Sequence, residues 1–206
     1  MRIEHAMHGT VIRLACEDAA APWAPLLLGA LEGLPASSFR DGCRVQVGFS
    51  LFGLKAEEGG YRVLTQDYEG CPLDKWTDDL TIALWVMVEQ GVLARKCGVQ
   101  RKTLRFDDEV IVADGALDAT DVSLQHYLDA GDGQPGWVME ALAEDEDGEL
   151  AEVPAPGYTA LQAWQLLQCR PGLIQLLALP VGYMAVLHED RLVCLIDPDD
   201  EEIDLI

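Results

Sequence analysis

The chain has 206 residues, half of them apolar, and a formal net charge of −22 at pH 7. A chain of this length and apolar content can bury roughly 70% of the surface that it exposes when unfolded, which excludes a disordered protein. Residues 107–206 carry 23 acidic and 2 basic side chains, against 13 and 12 in residues 1–106. A field of this sign attracts basic molecules and excludes nucleic acid and anionic membranes as partners.

The first half of the chain predicts strands, a hairpin and helices. A strand is expected over residues 11–16, followed by a helix around residues 25–34. Apolar residues at every second position from Val45 to Leu51 predict one half-buried strand. Two adjacent glycines then supply the turn of a hairpin over residues 45–68, and apolar residues at helical spacing predict a helix over residues 78–97.

The second half predicts a similar mixture of elements. They are, in chain order, a strand over residues 109–113, a helix capped by Thr120 or Asp121 and running through Leu128, a helix over residues 137–143, an amphipathic helix over residues 161–168, and a C-terminal hairpin over residues 181–196.

These elements predict an α+β fold in which antiparallel hairpins pack with amphipathic helices, built as two small halves of similar size. The change in charge balance divides the chain into a near-neutral half, residues 1–106, and a strongly acidic half, residues 107–206. The first contains the hairpin over residues 45–68 and the helix over residues 78–97, and the second contains the C-terminal hairpin. One continuous domain is the alternative.

Two acidic segments, residues 144–149 and residues 197–204, are predicted to lie on the surface, because carboxylates are rarely buried without a partner. Residues 197–204 lack the glycine and the terminal bidentate glutamate of a calcium-binding loop, and residues 145–148 do not match such a loop either, so no metal site is predicted. A basic protein partner suits them better. The predicted partner-binding residues are Glu144, Asp145, Glu146, Asp147, Asp199, Asp200 and Glu201.

A small-molecule enzyme is the alternative that the histidines and cysteines leave open. His126 or His188 can serve as a base for Cys169 or Cys194 as a nucleophile. No known nucleophile turn surrounds these cysteines, and the chain has no glycine-rich phosphate-binding loop. We therefore predict no catalytic residues and no cofactor.

The N-terminus and the apolar segments predict a cytoplasmic location without membrane association. Residues 1–10 lack the apolar run behind a basic cluster that a secretory signal has, and Leu173–Val181 is too short to cross a bilayer. The six cysteines, none in C-x-x-C spacing, are then expected to be reduced and buried thiols.

Three segments of the first half form a pattern of glycine-bearing strand, returning hairpin arm and helix ending in glutamine. They are Asp41–Leu54, Tyr61–Tyr68 and Trp76–Gln90. This pattern resembles bacterial immunity proteins, the cytoplasmic antidotes encoded beside polymorphic or secretion-system toxins. The resemblance implies a binding protein without catalysis.

The leading hypothesis is a cytoplasmic immunity-type protein that binds and neutralises a cognate basic toxin or effector through an acidic surface. The acidic half supports it independently, since carboxylates speed encounter with a basic partner. Besides the histidine–cysteine enzyme, an acidic adaptor or chaperone for a secreted basic protein is a third hypothesis, and it differs from an inhibitor by leaving its client active. The class of toxin and the oligomeric state stay open at this stage.

Overall fold

A computed structural model describes residues 1–102, 104–127, 136–146 and 148–204. The chain divides into two compact units, Met1–Glu89 and Gln90–Ile206. Both contain strands and helices, which confirms the predicted α+β class. The domain boundary predicted between residues 106 and 107 rests on the charge balance and stays a prediction.

The first unit is built on one mixed sheet. Its elements are β1 (Arg2–Met7), β2 (Thr10–Ala15), a 3-10 helix (Asp18–Trp23), α1 (Ala24–Glu32), a 3-10 helix (Ala36–Ser38), β3 (Arg44–Val47), β4 (Ser50–Glu57), β5 (Gly60–Gln66), β6 (Trp76–Thr77) and the start of α2 (Thr81–Lys96). The strand order is β1-β2-β5-β4-β3, with β6 beside β5. Strands β2 and β5 run parallel, and the other paired strands run antiparallel.

Turn glycines decide where the strands of this sheet end. The expectation of one strand from Val45 to Leu51 is wrong, because Gly48 has a φ of 58° and Val47 pairs with Ser50 across a two-residue turn. Two hairpins, β3–β4 and β4–β5, therefore occupy the segment in which one was expected. Gly59, with a φ of 73°, forms the second turn, as its sequence context predicts.

The parallel pairing of β2 with β5 depends on Gly60. A Cβ atom at this position would lie 2.0 Å from the carbonyl oxygen of Val11, the residue with which Gly60 is paired. The close pairing allows alternate residues of both strands, such as Ile12 and Val63, to reach the core. Other fully buried side chains of this unit are Leu27, Leu31, Phe52, Leu80 and Leu84.

The second unit contains the second sheet. Its elements are the end of α2, β7 (Glu109–Ala113), β8 (Asp121–His126), β9 (Trp137–Glu144), β10 (Leu150–Glu152), β11 (Tyr158–Gln162), α3 (Ala163–Cys169), a 3-10 helix (Pro171–Ala178), β12 (Met184–His188) and β13 (Arg191–Ile196). The strand order is β11-β7-β9-β8-β12-β13, with β10 beside β9. Strands β12 and β13 form the C-terminal hairpin expected over residues 181–196.

Two helices expected in this unit are strands instead. The helix from Thr120 or Asp121 is wrong because residues 121–126 form β8, and the helix over residues 137–143 is wrong because these residues belong to β9; Leu128 lies outside the described residues. In β9 the alternate side chains of Trp137 and Met139 are buried, and in β8 those of Val122 and Leu124 are buried. Each strand is too short for helical propensity to outweigh burial on one face of a sheet.

The helix expected over residues 161–168 begins two residues later, as α3. Gln162 and Gln165 form a capping box at its start, in which each side chain bonds the other residue's backbone N–H. The residues before it belong to β11. Within the described residues, no helix combines the length and the apolar character that a membrane crossing requires.

Candidate functional site

One face of the second sheet carries aromatic, aliphatic and acidic side chains side by side. Trp137 and Met139 of β9 are buried, so Glu140 and Leu142 point to the opposite face. The pairing of the strands places further residues on that face beside them. We call the set the tyrosine–glutamate face: Tyr127, Glu140, Leu142, Glu144, Leu150, Glu152 and Tyr158.

Glu140 is the centre of this face. The hydroxyl of Tyr158 donates a hydrogen bond to Oε1 of Glu140 over 2.7 Å. A hydrogen bond between the two carboxyl groups raises the pKa of Glu152 above its usual value of 4.5, and the negative charge of Glu140 adds to the effect. Burial, together with the charges of Glu140 and Glu152, also raises the pKa of Tyr127. The cluster therefore concentrates negative potential in which a cation would be stabilised.

The apolar members of the face are unusually accessible. Tyr158 is 55% exposed, Leu150 45% and Tyr127 43%. Tyrosines present a large rigid surface with a polar tip, and they are enriched among the residues that dominate binding energy at interfaces. The chemistry of the face suits a protein partner that presents basic side chains.

The predicted binding residues at the end of β9 join this face. Glu144, Asp145 and Glu146 are all exposed, and Glu144 pairs with Leu150. Oδ1 of Asp145 accepts the backbone N–H of Glu149 over 3.0 Å and so shapes the β9–β10 turn. Asp147 lies outside the described residues.

The other predicted binding residues lie at the opposite end of the sheet. Asp199, Asp200 and Glu201 are exposed and belong to a turn after β13, in which Oδ1 of Asp197 accepts the backbone N–H groups of Asp199 and Glu201. The strand directions put the end of β13 level with the start of β9. The turn is therefore about 20 Å from Glu144 along the strands, at about 3.3 Å per residue.

In the part of the chain that the structure describes, neither His126 nor His188 has a cysteine among its hydrogen-bond partners. His126 is 1% exposed, with Nδ1 2.8 Å from the carbonyl oxygen of Leu179 and Nε2 3.1 Å from Nζ of Lys102. Burial lowers the pKa of His126, and the positive charge of Lys102 acts in the same direction, so both effects favour the neutral ring. Nδ1 of His188 lies 2.8 Å from Oδ1 of Asp121.

The cysteines also differ from expectation. Of the six free thiols only Cys16 is buried; Cys169 is exposed and the other four are intermediate. Burial raises the pKa of Cys194, and Glu202 adds to the effect, which opposes formation of a nucleophilic thiolate. The expectation of buried thiols therefore holds for Cys16 alone.

Analysis of the sequence missed Tyr127, Glu140, Glu152 and Tyr158. The signal that would have found them is the two-residue periodicity of residues 137–144, which separates Trp137 and Met139 from the acidic positions. If residues 137–144 are interpreted as a helix, their buried and acidic positions are distributed around the helix axis and do not form two faces. Only the pairing of β9 with its neighbours brings the residues together.

A family model described as Imm33-like domain matches residues 89–194, just over half of the chain. The match contains the whole tyrosine–glutamate face and residues 144–146, and it ends before Asp199. It barely overlaps residues 41–90, which carry the resemblance described above. No curated protein and no solved structure matches the chain significantly.

Proposed function

Because the chain belongs to the Imm33-like family, an immunity-protein-like family, we propose that it binds a cognate basic toxin or effector and neutralises it. The observation that carries the proposal is the tyrosine–glutamate face, where exposed tyrosines flank paired carboxylates. The family suggests a protein partner, and the chemistry of the face selects a basic one. The proposal places this encounter in the cytoplasm and requires no catalysis or cofactor.

Contact with the partner is assigned to the centre of the face. A lysine or arginine of the partner that reaches Glu140 and Glu152 would favour the doubly ionised state, which the two carboxylates oppose in the free protein. The Tyr158 hydroxyl already holds Glu140 in place, so little side-chain entropy is lost on binding. Tyr127 and Tyr158 would then pack on the aliphatic part of the basic side chain.

Attraction at longer range is assigned to the acidic segments. Residues 107–206 hold 23 of the 36 acidic side chains, and the exposed groups among them include Glu144, Asp145, Glu146, Asp199, Asp200 and Glu201. Charges outside the contact area mainly accelerate association, whereas residues buried by the partner mainly control dissociation. The two roles are therefore separable by kinetics.

The test begins with affinity capture of the tagged protein from its own host at low and at high salt, followed by identification of what co-elutes. The proposal expects one basic protein that is retained at low salt and lost as the salt approaches about 0.5 M, where the screening length is about 4–5 Å. The activity of that purified protein is then measured with and without this chain. A partner that stays active in the complex would identify an adaptor or chaperone instead.

Variants then locate the interface. Tyr158→Ala should raise the dissociation rate at least about tenfold, as expected for a central aromatic contact. Asp199→Asn with Asp200→Asn should slow association and leave dissociation nearly unchanged. Glu58→Gln, an exposed carboxylate in the first unit, is the control for a general change of charge. A dissociation rate that Tyr158→Ala does not change would remove the tyrosine–glutamate face from the interface.

A further inference from the structure

One edge of the second sheet has no strand beside it. Among the described residues β11 pairs only with β7, and it stands at the end of the strand order. The backbone N–H of Ala163 bonds the carbonyl oxygen of Asp108 and continues this ladder, so the odd-numbered residues of β11 are the ones that bond β7. The backbone N–H and C=O groups of Tyr158 and Ala160 therefore point away from the sheet.

The opposite edge of the same sheet is protected in two ways that β11 lacks. The register of β12 and β13 shifts, and the chain's own continuation covers the end of β13, where Ile203 donates its backbone N–H to the carbonyl oxygen of Leu195. Folded proteins protect edge strands because unpaired backbone groups attract other strands. Tyr158–Gln162 contains no proline, charged side chain or register shift, and its first three residues are exposed. Within the second unit, the edge of β11 is open to another strand.

The face beside this edge selects a basic occupant. Strands β7, β9, β10 and β11 contain no lysine or arginine, and the strand registers put all their acidic residues on the face that carries Tyr158. These residues are Glu109, Glu140, Glu144 and Glu152. A second copy of the chain, paired edge to edge, would bring two such sets of carboxylates together, which like charges oppose. A segment with basic side chains is attracted instead.

The side chain of Tyr158 leaves the edge open and offers a contact for a basic group. Its hydroxyl reaches Glu140 in β9, two strands away, so the ring lies over the sheet and not over the edge. We propose that β11 pairs with an extended segment of a protein partner, antiparallel to it, and that a lysine or arginine of this segment lies on the ring of Tyr158. The N–H and C=O groups of Tyr158 and Ala160 bond the segment, and its residues opposite these two point to the acidic face.

This proposal adds the manner of binding to the proposed function and rests on it only for the identity of the partner. The probe therefore does not need that partner. It is the peptide acetyl-Thr-Arg-Val-Arg-Thr-amide, which places both arginines on the acidic face when it pairs with β11. The peptide is titrated into the full chain at constant ionic strength, and binding is followed at the backbone amides by heteronuclear NMR. We expect saturable shifts centred on residues 158–162.

Two control peptides separate charge from backbone pairing. The peptide with glutamine in place of both arginines should bind at least about tenfold more weakly, because it lacks the cations that the tyrosine ring and the carboxylates attract. The peptide with both arginines methylated at the backbone nitrogen should also bind at least about tenfold more weakly, because its donors to the carbonyl oxygens of the edge are lost. This second control leaves the protein unchanged.

Variants of Ala160 test the same bonds from the side of the protein. Ala160→Pro removes one donor from the open edge and none from the ladder with β7, and it should weaken binding of the arginine peptide at least about tenfold. Ala160→Ser retains the donor and is the matched control, with a change of less than about twofold expected. Equal binding of either control peptide, equal binding by the two variants, or the absence of saturable shifts would each overturn the proposal.

Two further outcomes distinguish this proposal from its alternatives. A dimer of the chain that Ala160→Pro dissociates, measured by sedimentation, would identify a second copy as the occupant and overturn the proposal. A captured toxin that binds Ala160→Pro and Ala160→Ser equally well would overturn this proposal alone and leave the proposed function standing. Peptide binding with the expected pattern, in a chain that neutralises no toxin, would support this proposal and remove the proposed function.

Discussion

Replacing Arg170 by alanine should destabilise the second unit by about 3–5 kcal/mol, the range for removing one partner of a buried ion pair. The Arg170 side chain is 7% exposed, and its Nε donates to Oδ1 of Asp190 over 2.5 Å. Its Nη1 donates to the carbonyl oxygens of Ala116 and Ala119 over 3.1 and 2.9 Å. Alanine leaves all three acceptors without this donor and opens a cavity, so the β12–β13 turn loses its attachment to the loop after β7.

A urea titration followed by NMR at amides of the second unit measures the free energy of unfolding of that unit directly. Arg191→Ala is the matched control, because Arg191 is exposed and belongs to the same hairpin; it should change stability by less than about 0.5 kcal/mol. The loss of stability caused by Asp190→Asn should lie between those of Arg170→Ala and Arg191→Ala, since asparagine tolerates the positive φ of this position. A loss below about 1 kcal/mol for Arg170→Ala would contradict the reasoning, because a charge with these contacts would then contribute little.

The remaining predictions concern the pH dependence of stability and the steric effect of adding a Cβ atom at two glycines. Because the folded-state pKa of Glu152 is raised above 4.5, its contribution to stability is present at lower pH and is lost as pH rises through the folded-state pKa. Glu152→Gln keeps a hydrogen-bond donor for Glu140 but cannot ionise, so it should make the free energy of unfolding depend less on pH in this range. Thermal unfolding at a series of pH values measures this dependence. A pH dependence that the substitution leaves unchanged would refute the pairing of Glu140 with Glu152. Gly60→Ala should destabilise the first unit by more than about 2 kcal/mol in a urea titration, since its Cβ meets the Val11 carbonyl oxygen and neither backbone can move freely. Gly29→Ala, in helix α1 with nothing within 4 Å, should instead stabilise it by about 0.5–1 kcal/mol, and equal effects of the two alanines would rule out the steric explanation.

The elements that sequence patterns predict well are those whose signal is local. The β4–β5 turn follows from Gly59, which adopts a positive φ at little cost. Helix α2 follows from a long apolar stripe with basic residues in its last turn, Arg95 and Lys96. The patterns failed at β8 and β9, where six and eight residues are too few to distinguish a helix from a strand by composition.

The candidate site was predictable only in part, because its residues come together through strand pairing and not through a local pattern. Exposure of Glu144 and Asp199 follows from charge alone, since unpaired carboxylates stay in water. Their positions at opposite ends of one sheet follow from strand directions that no local pattern contains. The contact of Tyr158 with Glu140 joins residues 18 apart through the intervening strand β7.

The sequence by itself determined the acidic character of the second half, the sign of the field that this charge produces, and the turn at Gly59. These properties depend on single residues or on sums over residues, and they do not change with the path of the chain. The tertiary structure alone decided which carboxylates share a face, that His126 is buried beside Lys102, and that no described strand pairs with the outer edge of β11. These properties depend on distances between residues far apart in the chain, which are set only when the strands pair and the core closes.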